Sequence, residues 1–113
     1  MTTKAKLDWK PLCDLNDLVP DSGVAALHNG EQIALFYLPG QDNEVFAVSN
    51  HDPIAKANVI ARGIVGDLQG KLVVASPLYK QHYDLQSGEC LEEDITLQTW
   101  PVRLKDQQVE ICA

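Results

Sequence analysis

Val73-Val74-Ala75-Ser76-Pro77-Leu78-Tyr79-Lys80-Gln81-His82-Tyr83-Asp84-Leu85 is the stretch that decides how this chain folds. Its opening residues are β-branched or small and suit a buried strand. Ser76-Pro77 ends that strand, because proline has no N–H to give to a ladder. The chain then resumes with His82-Tyr83-Asp84-Leu85, whose polar–apolar alternation predicts a second, half-buried strand that turns at Ser87-Gly88. Strand, loop, strand is thus the local plan, and the loop between carries the polar chemistry.

Working outward, the same grammar recurs. Gln32 to Leu38 is rich in strand formers and stops at Pro39-Gly40, and Glu44 to Val48 follows as the second arm of a hairpin. Gly70 to Ala75 is expected to be a strand following a turn at Gly66-Asp67. Leu97 to Leu104 and Val109 to Cys112 are two more strands. Trp9 to Leu12 and Val24 to His28 are weaker strand candidates, with room for one helical turn in Asp14 to Pro20. No segment holds apolar residues at helical spacing over three or four turns. Many short strands with little helix predict an antiparallel all-β sandwich or barrel, as a single domain over residues 1–113. One segment departs from the pattern: residues 50–66 form a long connection, and such connections in compact domains usually carry function.

The 113 residues, 45% hydrophobic and 22% charged, suit one compact globular domain that needs no disulfide. Asp and Glu total 16 against 9 Lys and Arg, a formal charge of −7. That balance repels nucleic acid and anionic membrane surfaces, and it favours a protein partner with a basic docking face. The N-terminus shows no apolar run of the export type, and no stretch approaches the length needed to span a bilayer. Cys13, Cys90 and Cys112 are odd in number and widely spaced, so they read as reduced thiols of a cytoplasmic protein.

Two segments carry a family resemblance. The first is Ala47-Val48-Ser49-Asn50-His51-Asp52-Pro53-Ile54, and the second is the opening stretch with Gln86-Ser87-Gly88-Glu89 after it. Their flanks resemble the two cluster-binding loops of a Rieske (ISP-type) domain, about residues 50–66 and 76–82 here. In that family the loops supply Cys-x-His and Cys-x-x-His, with Pro directly after each Cys. Aligning Pro53 and Pro77 with those prolines puts Asp52 and Ile54 at the first ligand pair and Ser76 and Tyr79 at the second. A Rieske centre needs two thiolates on one iron and two imidazoles on the other. Asp and Ser are hard oxygen donors and Ile has no donor, so these positions are degenerate and no metal or iron–sulfur cluster is expected.

With those substitutions, the phrases Asn58-Val59-Ile60-Ala61-Arg62-Gly63-Ile64-Val65-Gly66-Asp67 and Thr99-Trp100-Pro101-Val102-Arg103-Leu104 resemble the small subunit of assimilatory NAD(P)H-dependent nitrite reductase. The resemblance implies a Rieske-like sandwich with a two-loop tip and little helix. It also implies a subunit of an oxidoreductase complex that is not catalytic alone and has no cofactor of its own. Its partner would be a large subunit carrying siroheme, an iron–sulfur cluster, FAD and the NAD(P)H site, which reduces nitrite to ammonium in nitrate assimilation. Competing readings are a Rieske-type [2Fe–2S] electron-transfer ferredoxin and a free-standing binding or regulatory module.

Candidate partner-docking residues are Asn50, His51, Lys56 and Arg62 on the first loop and Lys80, Gln81 and His82 on the second. His51 beside Asp52 invites a general-base reading, but neighbours in extended chain point opposite ways, so a shared ligand is not expected. Lys80 could hold an anion such as nitrite. Tyr79 is expected to pack between the loops where a ligand histidine would stand, with Ile54 beside it, forming an apolar plug. Ser76 lacks the setting of a nucleophile.

Overall fold

The computed structural model describes residues 8–112; the N-terminal residues in which no export signal is read lie outside them. In chain order the strands are β1 (Trp9–Asp14), β2 (Ser22–His28), β3 (Glu31–Tyr37), β4 (Val45–Ser49), β5 (His51–Asp52), β6 (Ala57–Asn58), β7 (Ile64–Leu68), β8 (Lys71–Ala75), β9 (His82–Asp84), β10 (Thr99–Trp100), β11 (Val102–Lys105) and β12 (Gln108–Cys112). Two short 3-10 turns, Leu15–Asp17 and Ile60–Arg62, are the helical elements among the described residues. The all-β expectation holds.

A four-stranded sheet in the order β10-β4-β3-β2 forms the middle of the molecule. Its inner strands are Val45-Phe46-Ala47-Val48 and Ile33-Ala34-Leu35-Phe36, apolar at every position, unlike the alternation of a sheet with one wet face. The reason is that both faces are covered. Ile33, Leu35, Val45 and Ala47 pack with Val109 and Ile111 of β12 in one core. Ala34, Phe36, Phe46 and Val48 pack with Ile60, Val74, Tyr83 and Leu85 in the other. The base sheet, β1-β12-β11, lies under the first face, and the sheet β7-β8-β9 lies over the second. Each fully buried side chain of this size contributes roughly 1.5–3 kcal/mol relative to exposure. Two such layers give a 113-residue chain a substantial core.

Three boundaries differ from the sequence expectation. Leu97 to Leu104 is not one strand: β10 pairs with β4 in the central sheet, while β11 pairs with β12 in the base sheet. Pro101, which cannot donate to a ladder, sits at the switch, and its carbonyl accepts from the Cys112 N–H at 3.0 Å. The turn before β8 is at Gln69-Gly70, not Gly66-Asp67, because both residues adopt left-handed φ values of 55° and 79°. That is the geometry of a two-residue hairpin turn, and β7 runs straight through Gly66. The long connection is not structureless either: β5, β6 and a 3-10 turn lie within residues 50–66, and β7 begins there.

Candidate functional site: two loops closed by a carboxylate

The first loop leaves β4 through Asn50, which is 3% exposed. Its side-chain amide donates to Gln32 Oε1 at 2.9 Å and its oxygen accepts from the Ala61 N–H at 2.7 Å. The Ile60 N–H donates to the Asn50 carbonyl at 3.1 Å, so one buried residue folds the far end of the loop back onto the sheet. Asn50 is therefore a bracket inside the loop and not a docking residue, a correction to its reading from sequence. His51 and Asp52 then alternate as extended chain demands: His51 faces solvent and donates from Nδ1 to Asn58 Oδ1 at 3.2 Å, while Asp52 points inward. The two do not form a pair.

Asp52 is 0% exposed, and its carboxylate is the centre of the tip. It accepts from the Ile54 and Ala55 N–H groups at 2.9 and 3.3 Å, a turn within its own loop. It accepts from the Ser76 hydroxyl on the second loop and from the Tyr83 hydroxyl of β9 at 3.0 Å. Burial pushes the Asp52 carboxyl up, but the hydrogen bonds from Ser76, Ile54, Ala55 and Tyr83 outweigh it and hold the group below its ordinary value. Burial, followed by the Asp52 hydrogen bond and charge, pushes the Tyr83 phenol well above its ordinary value. Both shifts describe one arrangement: a buried carboxylate kept ionised by neutral donors from two loops and a strand.

The second loop is a tight turn. The Ser76 N–H donates to the Gln81 carbonyl at 2.8 Å and the Lys80 N–H to the Ser76 carbonyl at 3.0 Å, with Lys80 at a left-handed φ of 62°. This turn lifts Leu78 and Tyr79 into solvent, and Tyr79 is 61% exposed. The expected plug of Tyr79 between the loops does not form, and Ile54 is only partly buried. Sequence reasoning placed the aromatic group on the wrong residue: Tyr83 fills the space beneath the loops. Its buried position in an alternating strand, with a hydroxyl that must find a partner, was the available signal.

The donor set does not suit a Rieske centre. Asp52 and Ser76 stand where thiolates would be needed and are already bonded to one another. Ile54 offers no donor atom and Tyr79 faces solvent. Among the described residues, no group of three His, Cys, Asp or Glu side chains is placed to hold a metal ion. Cys13, Cys90 and Cys112 are free and half-buried.

The remaining candidates divide into two sets. Arg62, Lys80 and His82 line one cleft of about 380 Å³ at the tip, with Ile64, Ser76 and Pro77. His51 and Lys56 do not line it; Lys56 caps the β5–β6 hairpin at a φ of 56°. Gln81 is half-buried, and its side-chain oxygen has no donor among the described residues. His82 is held by Glu92, which accepts from its main-chain N–H at 2.8 Å and its ring at 2.6 Å. Burial raises the Glu92 carboxyl and these His82 contacts lower it by more. Among the described residues no helix is long and apolar enough to cross a membrane.

Residues 8–112 match the family described as the Rieske-like [2Fe–2S] domain. Over 104 residues the chain is 42% identical to the nitrite reductase (NADH) small subunit of Salmonella typhimurium, covering 91% of this chain and 95% of that protein. A crystal structure of a candidate nitrite reductase NADPH small subunit superposes with a TM-score of 0.90 at 52% identity, over 95% of this chain and 100% of the other. The chain is also 37% identical over 102 residues to a part of the nitrite reductase [NAD(P)H] large subunit of Klebsiella oxytoca, spanning 89% of this chain and 10% of that protein. With a family match over residues 8–112 and identities of 42% and 52% over nearly the full length of both chains, this chain belongs to the Rieske-like domain family and, within it, to the nitrite reductase small subunits.

Proposed function

We propose that this chain is the non-catalytic small subunit of a cytoplasmic NAD(P)H-dependent nitrite reductase. It acts as one domain bound to a large subunit that holds siroheme, an iron–sulfur cluster, FAD and the NAD(P)H site and reduces nitrite to ammonium. The observation that carries this reading is the Asp52–Ser76–Tyr83 clasp. It closes the two loops without a metal, so the tip keeps its shape as a surface for a partner while offering no redox centre. The Klebsiella oxytoca similarity supports the choice of partner, since a segment like this chain there forms part of a large subunit. Covalent joining of two modules raises their effective concentration and favours pairs that work in contact. The same clasp argues against the ferredoxin alternative, which would require thiolate and imidazole donors at these positions.

The test is NADH-dependent nitrite reduction by the purified large subunit with and without this chain. Addition of the chain is expected to raise activity or to prolong it, with no iron in the chain itself. Absence of any complex, or activity indifferent to the chain at every ratio, removes the reading.

A further inference from the structure

The tip departs from the charge of the body. The chain carries −7 overall, yet Arg62 and Lys80 both project at the mouth of the tip cleft. Neither has an ion-pair partner among the described residues. The nearest acidic run contributes Glu92 to this side, and both of its oxygens are engaged by His82. Three of the five large hydrophobic side chains exposed among the described residues lie at or beside this cleft, Val19 and Leu27 being the other two. Of the large hydrophobic side chains left exposed among the described residues, Ile64 at 77% lines the cleft, and Leu78 at 54% and Tyr79 lie on the turn that forms its rim. An apolar cluster rimmed by charge marks an interaction site more often than chance exposure does.

We infer that this cleft receives an apolar side chain flanked by carboxylates, presented by the large subunit. The inference rests on the small-subunit reading above and adds the chemistry of the contact. Two cations set about an apolar floor fit an acidic segment with a hydrophobic centre, and charge complementarity at the rim would steer its approach. A basic docking face, expected from net charge alone, fits the body of the chain but not its tip. A second copy of this chain is the weaker occupant, because two bodies of −7 repel one another at long range. Lys80 holds a left-handed backbone that a glycine would adopt without cost.

The test is a binding titration of the full chain against the full-length large subunit at low and at physiological salt. The variants are R62E/K80E, I64S and, as a remote control, K71E at the far end of the β7–β8 hairpin. Circular dichroism checks that each is folded. The first two variants are expected to weaken binding by about tenfold or more, with salt weakening the parent's binding but no longer weakening that of R62E/K80E, whose reversed charges repel the carboxylates. K71E should bind within about twofold of the parent. If the parent binds and R62E/K80E and I64S bind equally well, the cleft is not the site and the inference falls while the small-subunit reading stands. If the parent does not bind at all, the small-subunit reading itself falls. Self-association of the isolated chain that R62E/K80E abolishes would assign the face to a second copy and overturn the inference.

Discussion

The Ser76 hydroxyl donates a hydrogen bond to the Asp52 carboxylate from a loop 24 residues away in sequence. Each of the two residues directly precedes a proline, Pro77 and Pro53, in the places where a Rieske domain would present thiolates to iron. One buried anion and its neutral donors thus tie together the two loops that in a Rieske domain would carry the cluster ligands.

Removing the anion should hurt more than removing either donor. D52A leaves the Ser76 and Tyr83 hydroxyls and two main-chain N–H groups without an acceptor in a buried setting. A loss of about 2–4 kcal/mol is expected in urea unfolding. S76A removes one donor and leaves the carboxylate three others, so a loss of about 1–2 kcal/mol is expected. Equal losses for the two would contradict the central role of Asp52.

The pH dependence of stability follows from the same pair. Asp52 sits below its unfolded value of about 3.9, so its contribution is complete above that pH and is lost as pH falls through the lower folded value. Tyr83 sits above its unfolded value of about 10, so folding favours the protonated phenol and stability declines as pH rises past that point. Unfolding curves collected across pH should show both flanks. D52N should flatten the acid flank, and Y83F should flatten the alkaline one.

Gly63 holds the end of the first loop against β8. A Cβ at this position would lie 2.4 Å from the Ala75 carbonyl oxygen and 2.6 Å from Val74 Cγ2. G63A is expected to cost about 1–3 kcal/mol through overpacking, and to displace Arg62 from the cleft mouth. Thermal melts measure the first effect, and the affinity of the folded variant for the large subunit measures the second.

Substitution at Lys80 tests stability and binding separately. K80G relieves the left-handed backbone while deleting a cation, so the isolated domain should keep its stability or gain up to about 1 kcal/mol. Affinity for the large subunit should fall. Thermal melts and titrations on the same preparation distinguish this from a merely structural residue, whose loss would lower both.

Chelation offers a further check. Prolonged dialysis against a strong iron chelator or treatment with dithionite should leave the melting temperature of the isolated chain unchanged. A drop would mean that a bound metal braces the loops in place of Asp52.

Much of the architecture was legible in residues 30–50 and 73–88. The uninterrupted apolar runs of β3 and β4 carry strand-forming residues, and turn residues bound each of them. That both faces of those strands would be covered was not legible, since periodicity cannot tell which layer will arrive on each side. Leu97 to Leu104 misled because its pattern continues through Pro101 while its pairing partner changes. Register with β4 and then β12 is a tertiary fact, visible only once those strands are placed. At the tip, spacing identified Asp52 and Ser76 as the ligand positions, but their bond to each other depends on how two loops face. Tyr79 and Tyr83 are four residues apart, and only the turn conformation around Lys80 decides which one is turned inward. Asn50 looked like a polar loop residue and is a buried bracket, because its burial comes from the return of Ile60 and Ala61.

A tip fastened by a carboxylate and two hydroxyls is finished the moment the polypeptide collapses. Its maturation waits for no delivery of iron or sulfide, and oxygen has no cluster there to destroy. The loops can therefore take their final shape from the chain's own side chains, whatever the supply of iron.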